Sequence, residues 1–309
     1  MPSAATPRLP CIFDARYCTA AAPTISTTKQ AEVVRAALHE GFLDVRPWAF
    51  NEALAWVDVE RVHEATYVRA VRSGQPRPLA ESQGFTWSPG FAEAVARIWA
   101  GHVHACRLAL AEGIVCHPVS GAHHARRPRG AGFCTFNFLV GAGLAMLDRH
   151  DVGRVAIVDL DAHQGDGTHE LVENDRRFGL FDIAGQDWIG ETESDRLTLS
   201  IVRSAAHYAS ALARLPAFLD RFEPGLVQYQ AGMDCHQDDP VGGIAGVDAA
   251  FLAWRDRLVI SEVVRRGIPL VMNLAGGYQS DGTTVALHVS TIRIAADAFR
   301  DSPGGPRGR

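Results

Sequence analysis

Lysine is almost missing from this chain: of 30 basic residues only Lys29 is a lysine, and the remainder are arginine. That skew is read here as composition rather than function. A basic excess is missing too. The net charge of -5 and isoelectric point near 6.2 argue against nonspecific nucleic-acid binding through a strongly basic surface. No uninterrupted apolar run reaches the roughly 18 residues of a membrane helix, and Met1 to Pro10 lacks an apolar core of signal-peptide length. The six cysteines (Cys11, Cys18, Cys106, Cys116, Cys134 and Cys235) show no C-x-x-C pairing or regular spacing. Reduced thiols packed as small hydrophobes in a soluble, cytoplasmic protein are the expectation. Cys134 and Cys235 lie beside candidate site residues, but no catalytic thiol is indicated.

What is present is ordinary for a soluble enzyme. With 309 residues, 47% hydrophobic and 21% charged, the chain can bury a sizeable core without staples. One large domain over 9–300 is expected, followed by a disordered Gly/Pro/Arg tail at 301–309. Hydrophobic patterning predicts strands over 9–13, 113–119, 197–202, 226–230 and 269–274, with a further one beginning at Val155. Between them it predicts helices over 30–39, from Val62, and over 91–112, 139–147, 209–222, 247–266 and 286–299. Thr27 or Thr28 is expected to cap the first helix. Alternating strands and helices imply an α/β fold with a mostly parallel sheet wrapped on both faces, a three-layer α/β/α arrangement.

The chemistry gathers where strands end. Val155 to His169 reads V-A-I-V-D-L-D-A-H-Q-G-D-G-T-H, a β-branched run that turns abruptly polar. Alternation puts Asp159 and Asp161 on one face, and the turn into Gly165 and Gly167 lets His163 fold back beside Asp161. Such a set suits a divalent metal with mixed oxygen and nitrogen ligands. Three other clusters also end predicted strands: His123-His124, Asp234, and Gly276-Gly277-Tyr278. The carboxyl ends of a parallel sheet share one edge, so these groups are expected to converge on one pocket.

Taken with their flanking residues, these clusters carry a family resemblance. Gly121-Ala122-His123-His124-Ala125 with Gly132-Phe133-Cys134 and Asn137, the run Asp159 to Gly167, Ala231 to Asp234 with Asp239-Pro240 and Gly242-Gly243, and Gly276-Gly277-Tyr278 occur in family order. The chain resembles the zinc-dependent histone deacetylase and acetylpolyamine amidohydrolase family, with its arginase/deacetylase fold. Asp-Ala-His-Gln-Gly, and Gly-Gly-Tyr followed by Gln279, lean toward the class IV branch.

The resemblance implies that Asp161, His163 and Asp234 hold one Zn²⁺ with an open position for water and substrate, as catalytic zinc sites do. The ion would polarise an amide carbonyl and lower the pKa of its bound water to about 7. It further implies His124, paired with Asp166, as general base and His123, paired with Asp159, as its partner. Tyr278 would donate to the developing oxyanion, worth ~3 kcal/mol by analogy with single oxyanion donors. Gly132 and Phe133 would line an acyl channel, and Ser200 and Ile201 would complete a K⁺ site near Asp159, Asp161 and His163. Arg126, Arg127 and Arg129 either attract an acidic substrate or keep their loop soluble.

The sequence also departs from the family pattern. Gln164 stands where a second histidine is common, Phe138 where Asn-Asp is frequent, and the amino-terminal region lacks a His-Pro-Glu signature. The segment after Ser200 runs almost directly into a helix, without the longer Pro/Gly loop that helps build the family's channel wall. The expected activity is removal of an acetyl or other acyl group from an amine, whether a protein lysine, a polyamine or a small metabolite. No direct nucleic-acid or membrane partner is expected, and a homo-oligomer stays open. Two rivals stand beside it. One is an arginase-like ureohydrolase with two Mn²⁺ ions, for which Gly165 and His236 occupy spots where carboxylates are needed. The other is a non-catalytic protein that binds an acylated ligand.

Overall fold

A computed structural model describes residues 7–18 and 28–301. Nine strands form one sheet: β1 (Leu9–Cys11), β2 (Leu43–Val45), β3 (Ile114–Cys116), β4 (Val155–Asp159), β5 (Phe178–Ala184), β6 (Thr192–Glu193), β7 (Leu197–Ile201), β8 (Leu226–Gln230) and β9 (Leu270–Asn273). Their order is β2-β1-β3-β9-β8-β4-β5-β7-β6, and every pairing is parallel except that of the edge strand β6. The central strands are buried on both faces, which is why they read as continuous apolar runs.

Side-chain alternation divides the core in two. Ala156, Val158, Val227 and Tyr229 point to one face. There they meet α1 (Lys29–His39), α8 (Ala205–Leu212), α9 (Leu215–Phe222), α10 (Ala249–Val264) and α11 (Thr283–Asp301). Val155, Ile157, Leu226 and Val271 point the other way, against α2 (Glu52–Val59), α3 (Ala65–Ser73), α5 (Pro89–Glu112) and α6 (Phe138–Asp148). The three-layer α/β/α expectation is what the chain adopts.

Local signals explain most boundaries. Ser88 caps α5 by accepting the Phe91 N–H at 3.1 Å, Pro89 opens it, and Gly113 closes it at positive φ. Asn137 and Asp248 cap α6 and α10 in the same way. Other expectations are corrected. The single helix predicted over 209–222 is two, because Pro216 in the first turn of α9 cannot continue α8. Sequence patterning does not predict β2, α2, α4 (Arg77–Ala80), β5, β6 or α7 (Asp166–Val172), the last following the metal motif. Asp301 is the last residue of α11 rather than the first of a tail, while the rest of that segment and Thr27 lie outside the described residues.

Candidate active site

The four strands β3, β9, β8 and β4 are consecutive neighbours in the sheet, and each is followed by one of the polar clusters. Groups separated by up to 155 positions, from His123 to Tyr278, are therefore delivered to one edge. The last residues of β4, β8 and β9, with Asp182 of β5, form a polar row in register: Asp182 pairs with Asp159, Asp159 with Gln230, and Gln230 with Asn273. Asn273 Nδ2 donates to Gln230 Oε1 at 2.8 Å, and Gln230 Nε2 reaches Asp159 Oδ2 at 3.4 Å. Asp159 Oδ2 also takes His123 Nδ1 at 2.9 Å. One imidazole is thus aimed by a chain of side chains crossing three strands.

Asp161, His163 and Asp234 come together as a buried group whose donor atoms lie within 4.8 Å of one another. His163 Nδ1 is 3.0 Å from both Asp161 Oδ1 and Asp234 Oδ2. Backbone N–H groups fix the carboxylates: Gly276 donates to Asp161 Oδ2 at 2.8 Å and Ala162 to Asp234 Oδ1 at 2.9 Å. Gly276 has to be glycine, since a Cβ there would sit 2.3 Å from Asp234 Oδ2.

The electrostatics ask for a cation. Burial raises Asp234 to about 7, reinforced by Asp161. Burial also drives Asp159 and Asp182 well above the carboxylate range, with their acidic neighbours adding to it. Desolvation alone would lower His163, but Asp161 and Asp234 outweigh it and hold its pKa at about 11. Two buried carboxylates converging on one imidazole favour positive charge among the three, so these residues fit a divalent metal. Among the described residues no other group of three metal-ligating side chains occurs.

The histidine pair stands beside this group. His124 Nδ1 lies 2.8 Å from Asp166 Oδ1, and the two imidazole centroids of His123 and His124 are 3.9 Å apart. Both Nδ1 atoms are committed to carboxylates, so each Nε2 is the free nitrogen, and that of His123 is 3.8 Å from Asp161 Oδ1. Burial, then His123, lower His124 to about 4 against the upward pull of Asp166. Arg126 is spent on Asp166 and Glu170, so it supports the His124 carboxylate rather than greeting a substrate. His63 supports the same loop, bonding Arg126 O through Nδ1 and accepting the Asn137 N–H at Nε2.

Gly132 packs against the face of His124. At φ +50° it adopts the left-handed region, and a Cβ would lie 2.3 Å from His124 Cδ2. Phe133 follows at φ +62°, rare for a bulky residue, with its ring 5.5 Å from Phe85 and 6.3 Å from Tyr278. The Tyr278 N–H donates to Asp239 Oδ2 at 2.8 Å. Burial, followed by Asp234 and Asp161, raises the Tyr278 phenol far above its ordinary value, so it stays protonated. Burial pushes the Cys134 and Cys235 thiols to about 12, and neither is a thiolate at neutral pH.

One expectation fails on placement. Ser200 and Ile201 sit on β7, and β5 stands between that strand and β4, so they do not border Asp159, Asp161 and His163. The Ser200 hydroxyl is taken by Arg214 instead. A K⁺ site there falls because β5 intervenes, and the residue beside Asp159 on the adjoining strand is Asp182. The segment after Ser200 lacks a wall-building loop, and an aromatic side chain from the loop following β5 stands beside the site instead. Trp188 on that loop is half-exposed, with ring centroids 4.9 Å from His124 and 5.5 Å from His163. Nothing in the local sequence signals this role.

Lys29 is the other departure. Far from being a compositional remnant, it is 1% exposed, with Nζ donating to Ala275 O at 2.7 Å and Gly277 O at 3.3 Å. It props the backbone of the tyrosine loop from below. Burial lowers its pKa to about 8, which leaves it charged at neutral pH.

A histone deacetylase domain model matches residues 25–292. The chain belongs to the histone deacetylase domain family. It is 33% identical to an uncharacterised protein of Picosynechococcus sp. over 79% of this chain and 83% of that one. It is 27% identical to histone deacetylase 2 of Arabidopsis thaliana over 89% of this chain and 72% of that one. With a histone deacetylase-like amidohydrolase of Pseudomonas aeruginosa it shares 28% identity over 79% and 71% of the two chains. In fold it is similar to an acetylpolyamine aminohydrolase from Burkholderia pseudomallei, with a TM-score of 0.75 at 18% identity, covering 94% of this chain and 98% of the other.

Proposed function

We propose that this chain is a metal-dependent amidohydrolase that removes an acetyl or other acyl group from an amine. The observation that carries the reading is the meeting of a buried Asp161, His163 and Asp234 group with two histidine–carboxylate pairs at one sheet edge. Asp161, His163 and Asp234 would hold one ion, with zinc favoured by their mixed oxygen and nitrogen donors and ferrous iron the alternative. Such an ion, when bound, supplies Lewis acidity that polarises a carbonyl and acidifies water.

The remaining work belongs to the protein. His124, neutral at pH 7 and oriented by Asp166, accepts a proton at Nε2. His123, oriented by Asp159, is the partner that helps return a proton to the leaving amine. Tyr278, held protonated, donates its hydroxyl to the carbonyl oxygen as negative charge develops there. Phe133 and Trp188 supply aromatic walls for an acyl-lysine, acylpolyamine or small-metabolite amide.

The relatives' names support an acylated amine as substrate. We place the catalytic domain at 9–300, and a cytoplasmic location fits six unpaired cysteines, five of them buried. No helix among the described residues is long and apolar enough to cross a membrane.

The test is a turnover screen. Protein stripped with a chelator and reloaded with zinc is offered acetyl, longer-acyl and polyamine amides. Hydrolysis of at least one, with one zinc per chain and no activity before reloading, is expected. Zinc-loaded protein that cleaves none but binds one tightly would make it a ligand-binding protein, and two Mn²⁺ per chain would favour the ureohydrolase reading.

A further inference from the structure

Beneath the metal-binding loops lies a charged residue that the chemistry above does not use. Arg255, on α10, is completely buried. Its Nη1 donates to Gly232 O at 2.7 Å and to Leu160 O at 3.2 Å, with Cys235 Sγ also at 3.2 Å. Leu160 immediately precedes Asp161, and Gly232 lies two residues before Asp234. The guanidinium therefore bridges the two loops that between them supply all three metal donors. Asp256 balances its charge, with Arg255 Nε 2.9 Å from Asp256 Oδ1. Tyr229 from β8 and Thr291 from α11 hold that carboxylate by hydroxyl bonds of 2.6 and 2.5 Å.

A buried ion pair is weak evidence for stability, because desolvation offsets most of the attraction. Geometry is the better account of this one. Both carbonyls belong to chain that has just left the sheet, where the strand ladder no longer sets the spacing between neighbours. Leu160 N–H still reaches Gln230 O at 3.1 Å, but beyond that point Arg255 joins the two segments from the side facing away from the donors.

We propose that Arg255 is a positioning residue for the metal site, a guanidinium strap that holds the Asp161 and Asp234 loops at the separation one ion requires. The proposal rests on reading Asp161, His163 and Asp234 as metal ligands. Its test reads metal affinity, so it is independent of whether any amide is cleaved. Residues outside the ligand set that orient ligands change metal affinity by about 10- to 100-fold. Lysine keeps the charge but lacks the planar fork that serves two carbonyls and Asp256 at once.

Zinc affinity is measured by chelator competition on the full chain, beside thermal melting of the metal-free protein. Arg255→Lys is expected to bind zinc about 10- to 100-fold more weakly than the parent. Thr291→Val, which removes a bond to Asp256 on the side away from the loops, should lower the melting temperature and leave zinc affinity unchanged. If Arg255→Lys does not fold, the paired change Arg255→Gln with Asp256→Asn replaces the ion pair by neutral amides and takes its place. A strap variant that binds zinc as tightly as the parent overturns the proposal. So does equal loss of affinity in Thr291→Val, which would show that affinity merely follows global stability. A parent that binds no zinc overturns the metal reading itself.

Discussion

The side-chain oxygen of Gln164 accepts the backbone N–H of Trp188 at 2.7 Å. It also accepts the Ile189 N–H at 2.6 Å, while Gln164 Nε2 donates to Gly190 O at 2.9 Å. A residue of the metal motif thus fixes the loop that carries an aromatic wall over His124 and His163. Gln164→Ala should raise KM about tenfold with a smaller change in kcat, since bonds of about 1 kcal/mol each order the wall rather than the reacting groups. Trp188→Ala should do the same. Steady-state kinetics on an acylated amine decides it, and a loss confined to kcat would place Trp188 in the chemistry instead.

Lys29 sits under Tyr278 in a different sense, through backbone alone. Lys29→Met keeps the length of the side chain and deletes both donors, leaving Ala275 O and Gly277 O buried without them. The cost is about 1–3 kcal/mol for each buried group left unpaired. We expect a lower melting temperature together with a fall in kcat larger than any rise in KM, because the tyrosine loop loses its support. A variant of parental kcat with only reduced stability would confine Lys29 to folding.

His124 and Asp166 make a prediction with a sign. His124→Ala should lower kcat by about 10²–10⁴-fold, the usual contribution of a positioned acid or base. Asp166 raises the His124 pKa, so Asp166→Asn should move the acid limb of the kcat/KM profile to lower pH while lowering its plateau. A limb that moves upward, or does not move, would contradict the pairing.

Acid should unfold this protein readily. Burial lowers His63 and His102 from 6.5 to about 4, and His117 further, with His102 adding to the effect. The Nε2 of His102 faces Gln228 Oε1 at 2.8 Å, a contact that pulls its pKa upward without outweighing burial, and its Nδ1 meets His117 Nδ1 at 3.0 Å. Between the folded and unfolded pKa values the unfolded chain binds more protons, so stability is full above about 6.5 and is lost as pH falls towards about 4. His63 and His102 are each worth about 3 kcal/mol across that window. Melting temperatures should drop steeply between those limits, and His102→Gln should flatten the slope. A melting temperature that stays level down to pH 4.5 would count against it.

Much of the site is legible in the sequence. His123-His124, the Asp159 to Gly167 run, Asp234 and Tyr278 stand out because each interrupts an apolar strand pattern with polar residues and glycine, a local signal. The other contributors lack one. Trp188 lies in an irregular loop, Arg255 on an amphipathic helix where arginine is unremarkable, and Lys29 at the start of a scaffold helix. Asp182 escapes notice with the whole of β5, whose seven buried residues are few enough to be passed over between Arg177 and Gly185. The Ser200 and Ile201 assignment fails for that same reason, since the unnoticed β5 takes the place beside β4 and leaves β7 one strand further out.

By itself the sequence determined the class of fold and the identity of the groups at the strand ends, because periodicity, capping and glycine turns act over a few residues. Only the tertiary structure decided the strand order that makes β3, β9, β8 and β4 neighbours, and with it which polar groups meet. It also decided that Arg255, Lys29 and Gln164 reach carbonyls and amides far along the chain. Such contacts depend on side chains crossing between layers, and no spacing in a linear sequence records that distance.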